Sequence, residues 1–128
     1  MIDLANPYIY KDGHISLDSR WSGTTSLGEE TQNLLPDTKV VKTLNYLCNH
    51  LMVHPRQLPE TITGFYCGND ADAKVEVAAL LKDFGWTDTL DLGDISMSRY
   101  TEMLGAFWPA DLNVTGNMVW GFKLVRKH

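Results

Sequence analysis

Few residues of this 128-residue chain stand at the spacings that a catalytic site would need. His50 and His54 are four positions apart, which would place two imidazoles on one helix face, as metal ligands require. Pro55 ends such a helix at once, and no glutamate lies between the two histidines. Because no third ligand is evident either, the pair indicates surface or loop histidines, and we predict no metal site.

Sequence signatures of a serine nucleophile and of a phosphate-binding turn are absent. No G-x-S-x-G elbow occurs, and no two of the ten glycines stand two positions apart, so G-x-G-x-x-G is missing. Gly23 and Gly28 have P-loop spacing, but Glu29 and Glu30 replace the required lysine and hydroxyl residue and would repel phosphate. We therefore assign no catalytic residue from these motifs.

Other residue types have simpler structural explanations. Four aspartates stand near the ends of predicted strands, namely Asp3, Asp70, Asp91 and Asp94. They could converge in space, but helix capping and turn formation explain each one singly. Two methionines and four tryptophans could line a site for a flat ring: Met97, Met103, Trp21, Trp86, Trp108 and Trp120. Their helical spacing favours core packing instead.

Composition limits the classes of partner. The net charge of -5 and the scattered lysines and arginines argue against nucleic-acid binding, since phosphate contacts need a basic patch. The only local basic run, 126–128, is interpreted as the end of a helix. No apolar run approaches the roughly 18 to 20 residues of a membrane span, and the polar opening lacks the basic and apolar regions of a secretory signal, so we expect a cytoplasmic location. Cys48 and Cys67 lie in apolar stretches and are predicted to be buried free thiols.

The hydrophobic pattern predicts alternating strands and helices in one domain, 1–128. Predicted strands cover 38–44, 61–67 and 89–92, and predicted helices cover 26–35, 46–53, 71–84, 96–108 and an amphipathic segment at 118–125. Residues 10–25 have no sustained apolar period and are predicted as a long loop. This alternation is typical of crossovers onto a parallel sheet, so we predict a three-layer α/β fold with a mainly parallel sheet.

The opening residues 1–7 have the character of a buried strand end that runs into a turn. We therefore expect the chain to be the second half of a larger fold, with an open sheet edge that pairs with a second copy or a missing half. Ligands of doubly wound folds bind at the carboxyl ends of strands, which directs attention to the turns at 6–7, 45–46 and 68–70.

Several segments together resemble the motifs of a known family. Residues 40–45 resemble its V-V-K-A-F-N strand and turn, and residues 65–74 resemble F-x-x-G-N-D-x-x-A-K. Gly85-Trp86 followed by Asp91-Leu92-Gly93 resembles its G-W and D-x-G pieces, and residues 2–7 resemble I-D-x-x-N-P. The family comprises the coenzyme F420-dependent NADP oxidoreductases and related dinucleotide-binding reductases, including the reductase domain of STEAP-type metalloreductases.

The resemblance implies a partial Rossmann-like fold that corresponds to the C-terminal portion of such a reductase. Family members bind NADP through a Gly-rich turn in an N-terminal half that has no counterpart in this sequence. The resemblance implies that five residues line the nicotinamide and acceptor end: Asn6, Pro7, Thr43, Leu44 and Asn45. The implied chemistry is hydride transfer between NADP or NAD and a flavin, a deazaflavin or another acceptor. Turn formation explains Asn6 and Asn45 equally well.

The leading interpretation is part of an NAD(P)-dependent reductase that is completed by the missing N-terminal half or by a homo-oligomer. A non-catalytic dimerising or interaction module derived from such a reductase is the alternative. A small flavin or deazaflavin binder is a third possibility.

Overall fold

A computed structural model describes residues 1–127 of the chain. The strands are β1 (Ile2–Asp3), β2 (Tyr8–Lys11), β3 (His14–Leu17), β4 (Val41–Thr43), β5 (Gly64–Gly68) and β6 (Thr89–Asp91). The α-helices are α1 (Leu27–Leu34), α2 (Asn49–Val53), α3 (Ala71–Asp83) and α4 (Ser98–Thr115). Three short 3-10 helices lie at Ser19–Trp21, Pro55–Gln57 and Ile95–Met97. The predicted alternation of strands and helices is therefore present.

The central sheet has the strand order β1-β4-β5-β6. β1 pairs with β4 in parallel, and β5 pairs with β6 in parallel. β4 and β5 are antiparallel, with Val41 opposite Gly68 and Thr43 opposite Tyr66. The sheet is thus mainly parallel, as predicted, but its two parallel pairs run in opposite directions.

Helices cover both faces of this sheet. Val41 on β4 belongs to a buried apolar cluster with Val77 and Leu81 of α3. The next residue, Lys42, lies instead against α1 and α4, because successive side chains of a strand point to opposite faces. The three-layer α/β architecture is therefore confirmed.

The helix α3 follows the sequence prediction closely. The Asp70 carboxylate accepts a hydrogen bond of 2.8 Å from the Ala73 N–H and so caps the first turn. Gly85, with φ of +100°, lies just beyond the last turn, where a left-handed residue is favoured. The cap and the stop signal thus position this helix as predicted.

Two predictions for the N-terminal region differ from the structure. Residues 8–17 form a β-hairpin, not part of a long loop, and Asp12 and Gly13 at its tip both have positive φ (53° and 80°). The side chains of β2 are all exposed, so the pattern lacked the alternation that marks a half-buried strand. Leu34 and Leu35 of the predicted 26–35 helix are also exposed, because α1 buries its Gly28 side.

The predicted end of the fourth helix was wrong. α4 continues through Pro109 and ends at Gly116, whose φ of +66° forms a left-handed cap. A proline removes one backbone donor, here the one that would bond the carbonyl of Gly105. The hydroxyl of Tyr8 donates to that carbonyl oxygen instead, so the helix passes the proline without an unpaired acceptor.

Residues 117–127 form a segment without helix or strand, not the predicted amphipathic helix. The Thr63 N–H donates to the carbonyl of Phe122 at 2.8 Å, and the Leu124 N–H donates to the Thr63 hydroxyl at 3.0 Å. Gly121 lies against Ile62 so closely that a Cβ atom would overlap the isoleucine side chain. The predicted helix end at 126–128 is thus absent for residues 126 and 127, and His128 lies outside the described residues.

Among residues 1–127, none of the helices is long and apolar enough to cross a membrane. Cys48 and Cys67 are both buried free thiols, as predicted. Burial raises the pKa of the Cys67 thiol to about 11.

Candidate functional site

Asn6 and Asn45 lie at the same edge of the sheet, because β1 and β4 are parallel and both end there. The turn at 68–70 was expected at that edge too, but it lies at the opposite one, since β5 runs antiparallel to β4. There Asn69 and Asp70 serve structural roles: the Asn69 Oδ1 atom accepts from the Ile95 N–H at 3.0 Å, and Asp70 caps α3.

Asn6 and Asn45 bind each other through two hydrogen bonds. The Asn6 Nδ2 atom donates to the Asn45 carbonyl at 2.5 Å, and the Asn45 Nδ2 atom donates to Asn6 Oδ1 at 2.8 Å. Asn45 Nδ2 also donates to the carbonyl of Thr101 on α4 at 2.9 Å. These contacts fix the orientation of the Asn45 amide and join the ends of β1 and β4 to α4.

Leu44 carries the backbone bend that leads to this arrangement. Its φ of +59° is in the left-handed region, which a branched side chain rarely occupies. Strain of this kind persists only where the surroundings hold it in place, and here Leu44 is packed into the apolar core. The bend follows β4 at once and precedes Asn45.

Pro7, Thr43 and Leu44 are buried, as Asn45 is, whereas Asn6 is partly exposed. The Thr43 hydroxyl donates to the Phe65 carbonyl at 2.8 Å, and the Pro7 carbonyl accepts from the Asp18 N–H at 2.6 Å. These contacts hold the sheet and the hairpin together. The cofactor-binding role of the five predicted residues stays a prediction.

A cavity of about 310 Å³ opens at the edge where β1 and β4 end. Its walls contain Leu4, Asn6, Tyr8, Asn45, Leu47, Cys48, Asn49, Met52, Trp108 and Met118. None of these side chains carries a formal charge at pH 7, and most of the wall is apolar or aromatic. Such a lining with a few polar groups is typical of small-molecule sites.

Two walls of this cavity could not be assigned from sequence. Trp108 was among the tryptophans considered for a ring site, but packing was favoured. It lies on α4, one residue before Pro109. Met118 belongs to the irregular segment that follows Gly116, and no sequence signal indicated where that segment would lie.

Two residues that line the cavity each have a buried polar atom without a hydrogen-bond partner among the described residues. The atoms are Oδ1 of Asn45, a residue only 3% exposed, and Nε1 of Trp108. Buried polar atoms are usually paired, because leaving one unpaired costs about 1 to 3 kcal/mol. An unpaired acceptor and an unpaired donor thus belong to residues of one cavity.

Tyr8 brings the only ionisable phenol into the cavity wall. Its hydroxyl is occupied by the Gly105 carbonyl, and burial raises its pKa to about 12. Tyr8 is therefore neutral near pH 7, and its hydroxyl proton is already donated to the Gly105 carbonyl.

Lys42 forms a buried ionic cluster that the sequence did not reveal. Its Nζ atom lies 2.8 Å from Asp3 Oδ2 and 3.2 Å from Glu102 Oε2, and its side chain is fully buried. Glu102 also accepts from the N–H groups of Leu27 and Gly28 at the start of α1. Burial raises the pKa of Glu102, while Lys42 and the two N–H groups favour its charged form. The cluster joins β1, β4, α1 and α4 beneath the cavity edge.

Asp91 and Asp94 form local turns or caps, as predicted, whereas Asp3 also belongs to the buried cluster around Lys42. Asp94 accepts from the Ser96 N–H at 2.9 Å at the start of a 3-10 helix. Asp91 accepts from the Gly93 N–H at 2.9 Å and pairs with Lys74. Asp3 accepts from the Ala5 N–H at 2.8 Å besides its contact with Lys42. These four carboxylates, including Asp70, do not converge.

His50 and His54 are both exposed, as predicted for surface or loop histidines. Their rings lie 5.3 Å apart, and His50 Nε2 is 2.6 Å from Gln57 Oε1. Among residues 1–127, no cluster of three or more candidate ligands could hold a metal ion.

No protein-family model matches the chain. The F420-dependent NADP reductase of Methanocaldococcus jannaschii is 30% identical over 79 residues, which are 62% of this chain and 35% of that protein. A solved structure assigned as an F420-dependent NADP reductase from Arthrobacter sp. FB24 is 42% identical, with a TM-score of 0.90. It matches 98% of this chain, which covers 57% of that protein.

A second solved structure supports the fold alone. A hypothetical protein from Sinorhizobium meliloti has a TM-score of 0.52 at 24% identity, over 76% of this chain and 46% of its own. The chain thus spans between about a third and little more than half of the length of its relatives. The chain is similar to proteins assigned as F420-dependent NADP reductases, and the resemblance found in its motifs is confirmed.

Proposed function

We propose that this chain is the part of an NADP-dependent oxidoreductase that holds the flat rings between which hydride passes. The observation that carries the proposal is the uncharged cavity of about 310 Å³ at the shared end of β1 and β4. The relative of 42% identity, assigned as an F420-dependent NADP reductase, supports the same function. The acceptor would be a deazaflavin such as F420, or a flavin.

The cavity fits a ring and does not fit a phosphate. Its volume is near the lower end for small-molecule sites, so it suits one ring system rather than a whole dinucleotide. No lysine or arginine belongs to its wall, and the described residues contain no Gly-rich phosphate turn. The pyrophosphate of NADP would therefore need groups from an N-terminal half or from a second copy of the chain.

The residues of this chain would bind and orient a ring and keep water from it. Leu4, Met52 and Met118 provide apolar walls, and Trp108 provides an aromatic one. When bound, NADP supplies the hydride chemistry. Orientation of two rings in a dry site is the main requirement of such a transfer, and no acid or base from this chain is needed.

A dimerising or interaction module remains the second candidate function. Tyr100, Met103 and Phe107 are exposed on one side of α4, and apolar surface of that kind is common at protein interfaces. The native mass of the purified chain tests this candidate. A stable dimer that binds no ring would favour the interaction module over the reductase.

The reductase proposal is tested by ring binding to the purified chain. We expect the deazaflavin chromophore of F420 to quench tryptophan fluorescence saturably. The variant Asn45→Ala should weaken this binding, whereas Asn33→Ala, an exposed residue of α1 at the opposite edge, should not. Circular dichroism would verify that both variants fold. Absence of saturable quenching in the wild-type chain would refute the proposal.

Catalysis is tested by adding the part of a relative that this chain does not match. The N-terminal part of the Arthrobacter relative, mixed with this chain, should restore oxidation of NADPH by the deazaflavin. The same mixture with the Asn45→Ala variant should be slower, because the ring would be less well oriented. A rate that equals that of the added part alone would contradict a reductase role for this chain.

A further inference from the structure

The helix α4 carries an exposed apolar stripe along one side. The four members of this α4 stripe are Tyr100, Met103, Phe107 and Val114. Their exposed fractions range from 45% to 85%. They follow one another at intervals of three, four and seven residues, like the a and d positions of a heptad, and so share one helix face. Thr101, Gly105 and Pro109, which α4 buries, lie on the opposite face, so the stripe is not used to pack α4 onto the sheet.

Phe107 is the central member of the α4 stripe, and other aromatic rings hold it in place. The centroid of its ring lies 5.6 Å from that of Trp120 and 5.9 Å from that of Phe122, both with edge-to-face geometry. The residue is nevertheless 56% exposed. An aromatic side chain that is already ordered loses little entropy on binding, and such side chains dominate the energetics of interfaces. Phe107 therefore has the properties of an interface anchor.

The order of side-chain sizes along the α4 stripe suits a second copy of the same helix. Two large side chains, Tyr100 and Met103, precede Phe107, whereas residues 108–113 expose no large apolar side chain and Val114 is smaller than tyrosine. If two copies of α4 pack antiparallel with Phe107 at the centre, Tyr100 of one copy faces Val114 of the other. Met103 then faces the segment 110–111. Large side chains thus meet small ones, which allows close packing.

Charge does not oppose such a contact, although the chain has a net charge of -5. No member of the α4 stripe is charged, and the Arg99 guanidinium beside it is already paired with Glu29 at 2.6 Å. Asp111 also borders the stripe. In the antiparallel pair the two Asp111 residues would stand about 12 Å apart along the helix axis, since eight residues separate them at 1.5 Å each. That separation exceeds the screening length of about 10 Å, so like charges do not meet.

We propose that two copies of this chain associate through the α4 stripe, with the helices antiparallel around Phe107. An aromatic side chain has roughly 150 to 250 Å² of surface, so Tyr100 and Phe107 together expose on the order of 200 Å². A single helix pair buries less than the roughly 1,600 Å² of a standard interface, so the dimer dissociates at micromolar concentrations. The stripe faces away from Gly105, which contacts the cavity residue Asn6, and the inference does not depend on the proposed function.

The dimer is tested by sedimentation velocity over a concentration series of the whole chain. We expect the mass to rise from 14.4 kDa to twice that value as the concentration increases. Phe107→Glu should raise the dissociation constant at least about a hundredfold, because two carboxylates would meet at the centre of the contact. The matched control is Val75→Glu on α3, a residue 69% exposed outside the stripe, which should leave the dissociation constant unchanged.

Two results would overturn the inference. One is a wild-type chain that stays monomeric up to near-millimolar concentration. The other is a dimer that Phe107→Glu leaves intact, because it would use another surface such as the open edge of β1.

A second variant separates loss of the contact from loss of folding, since Phe107→Glu also removes the ring contacts to Trp120 and Phe122. Val114 is 85% exposed, so Val114→Glu should keep the circular dichroism spectrum and the melting temperature of the wild-type chain. It should still weaken the dimer about tenfold, because a charge would be placed against Tyr100 of the other copy. A folded Val114→Glu protein that dimerises like the wild type would show that the stripe is not the contact.

The antiparallel arrangement is tested by disulfide crosslinking. Tyr100→Cys and Val114→Cys proteins, mixed and oxidised, should crosslink with each other. Neither should crosslink with itself, because identical positions would lie about 21 Å apart along the axis, fourteen residues at 1.5 Å each. Cys48 and Cys67 are buried and should not react. Crosslinking of each variant with itself, and not with the other, would indicate parallel helices and overturn the proposed arrangement.

Discussion

The Tyr8 hydroxyl donates to the carbonyl oxygen of Gly105, the acceptor that Pro109 leaves without its helical N–H donor. The hairpin thus completes the hydrogen bonding of α4 at the one turn where the helix cannot do so itself. Because Tyr8 substitutes for the donor that Pro109 lacks, the effect of replacing Tyr8 should depend on whether Pro109 is present. This coupling between the two residues can be measured.

Tyr8→Phe should destabilise the fold by about 1 to 2 kcal/mol, because the Gly105 carbonyl loses its donor. In a Pro109→Ala background the helix regains its own N–H donor at that position, so the same Tyr8→Phe change should cost less. A double-mutant cycle by urea denaturation measures the difference. Additive effects would show that Tyr8 does not serve as the substitute donor.

Lys42 should be among the least replaceable residues of the chain. Lys42→Met leaves Asp3 and Glu102 buried without their shared cation, and we expect a loss of about 3 to 5 kcal/mol. Lys39→Met is the matched control: this side chain is largely exposed, its Nζ atom lies 3.3 Å from Asp70, and its loss should cost less than about 1 kcal/mol. Urea denaturation compares the two, and similar losses would contradict the importance of the buried cluster.

The Glu29–Arg99 ion pair should make stability depend on acid pH. The guanidinium donates two hydrogen bonds of 2.6 and 2.9 Å, which lower the pKa of Glu29 below its ordinary value of 4.5. A lowered folded-state pKa adds stability above pH 4.5, and that stability is lost as the pH falls through the folded-state pKa.

Glu29→Gln should therefore cost about 0.5 to 1 kcal/mol at pH 7 and progressively less below pH 4.5. Glu30→Gln is the control, since Glu30 has no ion-pair partner among the described residues. Denaturation series at several pH values provide the comparison. A cost of Glu29→Gln that stays constant with pH would show that the carboxylate charge is not the cause.

Much of the fold could be predicted because its signals are local. The Asp70 cap and Gly85 stop signal of α3, and the apolar run of β5, each follow from a few neighbouring residues. The direction of β5 could not be predicted, since an apolar strand has the same pattern in either direction. That direction decides which turns share an edge, and it separates the turn at 68–70 from Asn6.

The site was predicted only in part for the same reason. Asn6 and Asn45 follow strand ends, where ligand sites are expected, and they do line the cavity. The place of Met118 depends on long-range contacts, because α4 continues past Pro109, where Tyr8 of a distant hairpin donates to the Gly105 carbonyl. The burial of Lys42 likewise depends on Asp3 and Glu102, which are distant in sequence.

Gly105 tests the link between α4 and the site. A Cβ atom at this position would overlap the Asn6 amide and contact the Asn45 carbonyl. Alanine is favoured over glycine within a helix by about 1 kcal/mol, so Gly105→Ala would stabilise α4 if space allowed. We expect instead a net loss of about 1 to 3 kcal/mol in the free energy of unfolding and weaker ring binding, because Asn6 must move away from Asn45.

Ala110→Gly, at an exposed position of the same helix, measures the helix preference alone and should leave ring binding unchanged. A Gly105→Ala protein that is more stable and binds the deazaflavin chromophore normally would show that the Asn6–Asn45 contact does not shape the cavity.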